Sequence, residues 1–146
     1  MTMKSVDNGT IIKNGLKSSQ EVILELGKVL VPVIFFVTFL EVSGILPIIA
    51  GSAEPLMNIF GLPGEAAMVL VIGNLTNVYG AIGAMLSIDI TQQQLTVLSV
   101  MVTISHSLPT ETAVVSKAGA QGRWVLIYRV IASLVFGFLV NLFLTI

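Results

Sequence analysis

Ala66-Ala67-Met68-Val69-Leu70-Val71-Ile72 runs into Gly73-Asn74-Leu75-Thr76-Asn77 and leaves through Val78-Tyr79-Gly80-Ala81-Ile82-Gly83-Ala84-Met85-Leu86. The stretch carries no charge and, as one helix at about 1.5 Å per residue, would nearly match a bilayer's hydrocarbon thickness. Its centre argues against one smooth helix. Asn and Thr side chains compete for backbone hydrogen bonds, and Gly is the costliest ordinary residue to hold helical. Two half-helices joined by a polar tip, forming a re-entrant hairpin, fit the pattern. A single kinked crossing fits it as well. Gly80 and Gly83 allow close backbone approach in either case.

The rest of the chain supplies the same solvent. Of 146 residues, 55% are hydrophobic and 10% charged, and mean hydropathy is +0.97. Soluble globular chains carry about 25% charged residues, and a core of this size cannot hide so much apolar surface. The composition therefore predicts an all-α integral membrane protein: transmembrane helices with broken or re-entrant helical hairpins between them. No cysteine is present, so disulfides, thiolate metal sites and thiol nucleophiles are excluded.

Residues 1–10 are polar. From Ile11 to Leu26 apolar residues alternate with charges in a helical pattern, with Lys17 and Glu21 four apart. This predicts an amphipathic helix lying in the interface, or else an exposed extension of the first span. The chain divides into a polar, interfacial stretch over 1–28 and a transmembrane domain over 29–146. Val29–Ala50 reads as the first crossing, with Pro32 and Pro47 near its ends, and Ala53–Phe60 as a short link. Leu62-Pro63-Gly64-Glu65 opens a helix, since Pro suits the first turn and a carboxylate meets the positive end of the dipole. Thr91-Gln92-Gln93-Gln94 has capping-box spacing. The helix after it is interrupted at Ser105-His106-Ser107-Leu108-Pro109-Thr110-Glu111, where Ser107 is placed to cap a new start. Gly119-Ala120-Gln121-Gly122 ends that segment, and Val125–Ile146 is the last crossing, with Arg129 snorkelling to the cytoplasmic interface. Of the two broken segments, one crosses and the other is re-entrant; sequence does not decide which.

Lys4, Lys13, Lys17 and Lys28 precede the first crossing, and Lys117 and Arg123 flank the last gap, while the other turns carry Glu54 and Asp89. The positive-inside rule places the N-terminus and the 117–123 loop in the cytoplasm. No signal peptide is evident. A multi-pass protein of a bacterial cytoplasmic (inner) membrane is expected, with lipid as its surroundings and no nucleic-acid partner.

An ionised carboxylate at the centre of a membrane helix costs about 2.5–3.5 kcal/mol on insertion scales. Glu41, Glu65 and Glu111 nonetheless lie in or beside apolar runs, close to the interruptions. Backbone groups freed by an interruption persist only where protein, water or a ligand satisfies them. Asn74, Thr76, Asn77, Ser105, His106, Glu111, Glu65 and Glu41 are therefore the candidate solute-binding residues. Each has a plainer reading: Asn74, Thr76 and Asn77 as caps, His106 as a hydrogen-bonded structural residue, Glu65 and Glu111 as helix-start residues, and Glu41 as an outer-interface residue close to Gly44. No nucleophile–base pair, metal-ligand cluster or phosphate-cradling Gly-rich motif is present, so no enzyme, catalytic residue, metal site or resident cofactor is expected.

Glu54-Pro55-Leu56-Met57 followed by Gly61-Leu62-Pro63-Gly64-Glu65-Ala66-Ala67 resembles the Gate, or nucleoside-recognition, domain family, which includes spore maturation A and B membrane proteins. Gly73 with Asn77, and Ile104-Ser105-His106-Ser107-Leu108-Pro109 ahead of Glu111, extend the resemblance over about residues 40–120. The resemblance implies a transporter-like Gate domain whose hairpin tips meet at a site for a small polar or ionic solute, with a possible coupling cation, Na+ or H+. It does not imply nucleosides. A second copy of the pattern is absent, so the unit is expected to work as a homo-oligomer or with a second Gate-type subunit. A non-transporting, spore-maturation-like scaffold is the other function the resemblance allows.

Overall fold

A computed structural model describes residues 8–146; the polar start through residue 7, including Lys4, lies outside the described residues. Among the described residues the chain is entirely helical. It forms α1 (Asn8–Val42), α2 (Ile45–Met57) with a 3-10 turn at Asn58–Phe60, α3 (Ala66–Leu75), α4 (Val78–Met85), α5 (Gln92–Ser105), α6 (Leu108–Lys117) and α7 (Gly122–Thr145). Two of these, α1 and α7, are long and apolar enough to cross a membrane.

Helical geometry continues through the boundary expected at residue 28, so residues 11–26 extend the first long helix. The crossing expected to reach Ala50 stops at Val42. Gly44 takes a left-handed conformation (φ 73°), its N–H bonds Glu41 O, and the Ser43 hydroxyl bonds Leu40 O. That is the geometry of a helix C-terminus, and Pro47 then sits in the first turn of α2, where it forfeits no hydrogen bond. A Gly and a Pro three residues apart signalled this stop and restart.

The two broken segments behave differently. α3 and α4 fold back on one another. A Cβ built on Gly73 would lie 2.8 Å from the Ala81 Cβ, although eight residues along a continuous helix would separate them by about 12 Å. α5 and α6 instead continue in one direction along α7. Gln93 bonds Thr145 (3.2 Å), the Ser133 hydroxyl donates to Met101 O (2.9 Å), Gly137 abuts Met101, Arg129 Nε donates to Ile104 O (2.8 Å), and Gly122 abuts Thr112 and Ser116. Partners move up one helix as they move down the other, through the interruption, so α5–α6 is one antiparallel companion to α7.

The α3–α4 hairpin packs between α1 on one side and α5 on the other. Its inner residues Val69, Ile72, Ala81 and Ala84 join Val37 and Leu40 of α1 with Val97, Leu98, Met101 and Val102 of α5. Small residues in α4 let these backbones approach. The outer face of α7, including Phe136, Phe138, Leu142 and Phe143, stays exposed in the isolated chain, as a lipid-facing surface would.

Candidate functional site

The interruption in α3–α4 and the interruption in α5–α6 meet. The Ser107 N–H donates to Gly73 O (3.0 Å), and the Ser107 hydroxyl donates to Thr76 O (3.2 Å). The Ser105 hydroxyl lies 2.8 Å from Asn74 Oδ1 and 2.9 Å from Met101 O. Thr76 Oγ1 donates back to Ile72 O (2.7 Å), and Asn77 Oδ1 caps α4 by accepting from Gly80 N–H (2.9 Å). Asn74, Thr76 and Ser105, with Asn77 next along the chain, are thus brought together from positions 31 residues apart.

Ser107 does not cap α6 with its side chain. It adopts a left-handed conformation (φ 54°) that points both its N–H and its hydroxyl at the hairpin tip. A non-glycine residue in that region costs about 1–3 kcal/mol, tolerated only where the surroundings fix it. Here the surroundings are the two tip carbonyls.

His106 and Glu111 lie on the other side of the interruption. His106 Nδ1 is 3.0 Å from Thr103 O, and Nε2 is 3.5 Å from Glu111 Oε1. Glu111 Oε2 is paired with Arg129 Nη1. Arg129 therefore turns inward and does not snorkel. Interruption of α5 frees the Ile104 carbonyl, and Arg129 Nε supplies its hydrogen bond while the same guanidinium neutralises Glu111. Sequence reasoning missed this role, although Arg129 is the one charge within α7 past its opening Arg123. Ser107 and the carbonyls of Gly73 and Thr76 were also missed, since backbone acceptors leave no mark in a sequence.

Glu41 and Glu65 stand apart. They line a hollow of about 240 Å³ with Pro47, Ser87 and Asp89, and Glu65 borders a second hollow, about 260 Å³, with Glu54 and Gly64. The ten residues of α3, about 15 Å at helical rise, separate this acidic end from the tip. Among the described residues no group of three or more His, Asp or Glu side chains is arranged to hold a metal ion.

Most of the freed backbone is satisfied within the protein. Among the described residues two site donors, Asn74 Nδ2 and Asn77 Nδ2, make no hydrogen bond, while the oxygens of the same amides accept from Ser105 and Gly80.

Comparison with known proteins shows the family. The family model described as nucleoside recognition, Gate, matches residues 23–121. The uncharacterised membrane protein YvoD of Bacillus subtilis (strain 168) is 34% identical over 128 residues. The match spans 88% of this chain and 41% of YvoD, so the chain covers well under half the length of that relative. No solved structure matches.

Proposed function

The chain belongs to the nucleoside-recognition (Gate) family, and from that premise we propose that it is a subunit of a small-solute membrane transporter. The solute pathway passes the point where the α3–α4 tip meets the α5–α6 interruption. In this reading α3–α4 is a re-entrant hairpin and α5–α6 a broken crossing beside α7. The observation that carries it is Ser107 clasping Gly73 O and Thr76 O: two interrupted helices are held tip to break, the arrangement in which irregular backbone survives at bilayer depth.

Asn77 Nδ2, Thr76, His106 and Glu111 meet the solute, while Ser105 and Asn74 position them. Glu41, Glu65 and Asp89 sit at the mouth, where carboxylates draw cations and repel anions. A coupling cation, Na+ or H+, belongs to this reading. With its positive charges on one side, the domain completes the pathway with another copy of itself in the same orientation, or with a second Gate-type subunit.

One observation favours a second reading. Because the two interruptions satisfy each other so fully, they do not require a solute, and a non-transporting scaffold holding a partner subunit would keep the same contacts. Thermal melts of the purified protein in nanodiscs, screened against nucleosides, amino acids and metal ions, separate the two. A transported solute at about 100 times its Kd adds about 2.7 kcal/mol of stability. A scaffold melts unchanged with every compound and co-purifies with a stoichiometric partner. Asn77→Ser keeps a cap on α4 but removes the Nδ2 donor, so uptake is expected to fall at least about tenfold (1.4 kcal/mol of lost binding) with little change in melting. Unimpaired uptake by this variant removes Asn77 from the site.

A further inference from the structure

His106 is the chain's single histidine, and both ring nitrogens face acceptors. Nδ1 lies 3.0 Å from Thr103 O and 3.3 Å from Val102 O. A carbonyl oxygen has no hydrogen to give, so Nδ1 carries one. The neutral ring then presents the lone pair of Nε2 to Glu111 Oε1, 3.5 Å away. An ionised carboxylate is acceptor-only. As neutral ring and carboxylate, the two atoms cannot bond. One added proton lets them, whichever atom holds it, and on the ring nitrogen it makes the bond a charge-assisted one.

The neighbouring charges leave this the open position. Arg129 of α7 occupies the other carboxylate oxygen, Oε2, and a guanidinium does not deprotonate in proteins. The second Arg of α7, Arg123, lies over the Trp124 ring at 5.9 Å. Lys117 is at the far end of α6, α3 has no ionisable side chain, and α4 has only the Tyr79 phenol.

We propose that the protein binds one proton between His106 Nε2 and Glu111 Oε1, and that this proton clamps the α5–α6 interruption around the hairpin tip. His106 closes α5, Glu111 lies in the first turn of α6, and between them Ser107 holds Gly73 O and Thr76 O. With the proton bound, a side-chain bridge spans the interruption and Ser107 is fixed. Without it, the two sides face each other acceptor to acceptor, and the hold on the tip loosens. Use of this proton as the coupling ion rests on the transport reading above; its binding does not.

The test reads structure, not uptake. In nanodiscs, ¹⁵N spectra of the unmodified chain need no assignment for the ring, since only one histidine exists. The neutral ring is expected to carry its hydrogen on Nδ1, and acid to add a second on Nε2. A neutral ring protonated on Nε2 overturns the proposal. Amide exchange at Ser107 and Gly80, corrected for intrinsic rate, is expected to slow about tenfold on acidification. In Glu111→Gln the side-chain amide donates to Nε2 as the bound proton would, so exchange stays slow at both pH values; in Glu111→Ala it stays fast. An identical pH response in all three chains also overturns it. Should Glu111→Gln fail to assemble, the tautomer of the unmodified chain decides alone. Loss of all solute responses with these signatures intact would sink the transporter and leave the proton site.

Discussion

Arg129 does two jobs with one planar group, and that makes it the residue on which the interruption depends. Its Nε satisfies the Ile104 carbonyl and its Nη1 pairs with Glu111. Arg129→Met keeps the length of the stem but leaves a carbonyl without its donor and a carboxylate without its counter-charge. Loss of hydrogen bonds to a charged, partly buried group costs about 1.5–3 kcal/mol, and both partners retain some exposure, so about 2 kcal/mol is expected. Combining it with Glu111→Gln removes the stranded charge, and the double variant should be more stable than Arg129→Met alone. Chemical unfolding of the four chains in detergent gives the coupling. Additive costs would mean that the pair contributes nothing. The placement of Arg129 also shows why residue-level reading stopped short. A lone Arg in an apolar helix announces that it needs a partner, and snorkelling is the cheapest partner when no neighbour is known. The carbonyl that claims it exists only because a helix on another segment breaks at that height.

At the scale of elements, local signals proved legible and inter-element ones did not. The capping box at Thr91 forms in both directions, with Gln94 N–H on Thr91 Oγ1 and Thr91 N–H on Gln94 Oε1. The expected interruptions at 73–77 and 105–111 fall between α3 and α4 and between α5 and α6. Each of these is encoded within four to seven residues. Whether a broken segment turns back or runs on is settled by what packs beside it: α7 for α5–α6, α1 and α5 for the hairpin. Glycines report these approaches unequally. A Cβ on Gly64 would lie 2.1 Å from the backbone oxygen of Ala50, where α2 meets the start of α3, while one on Gly137 would meet the flexible Met101 side chain at 2.6 Å. Backbone cannot step aside and a methionine can. Gly64→Ala is therefore expected to cost about 3 kcal/mol, as severe overpacking does. Gly137→Ala should cost less than about 1 kcal/mol, because better helix propensity offsets the repacking. Melting temperatures of the two variants order them. Equal losses would show that the α2–α3 junction is loose.

Across the whole molecule the charges sort by end. Glu41, Glu65 and Asp89 share one hollow, and Gln93 and Gln94 bring Thr145 and Gly61 to the same end. Lys117 and Arg123 stand at the opposite end, where α6 gives way to α7 and where Trp124 and Tyr128 stack at 6.0 Å. Basic residues are what the cytoplasmic side selects, so the 117–123 loop is expected inside and the acidic end outside. Because the chain has no cysteine, single replacements report this directly. An impermeant maleimide on intact cells is expected to label Asp89→Cys and spare Ala120→Cys, and inverted vesicles should reverse the result. Only α5–α6 lies between those positions, so labelling of both from one side would mean that this segment does not cross. With α3–α4 folded back on itself as well, neither broken segment would cross, and the pathway proposed through their meeting point would fail.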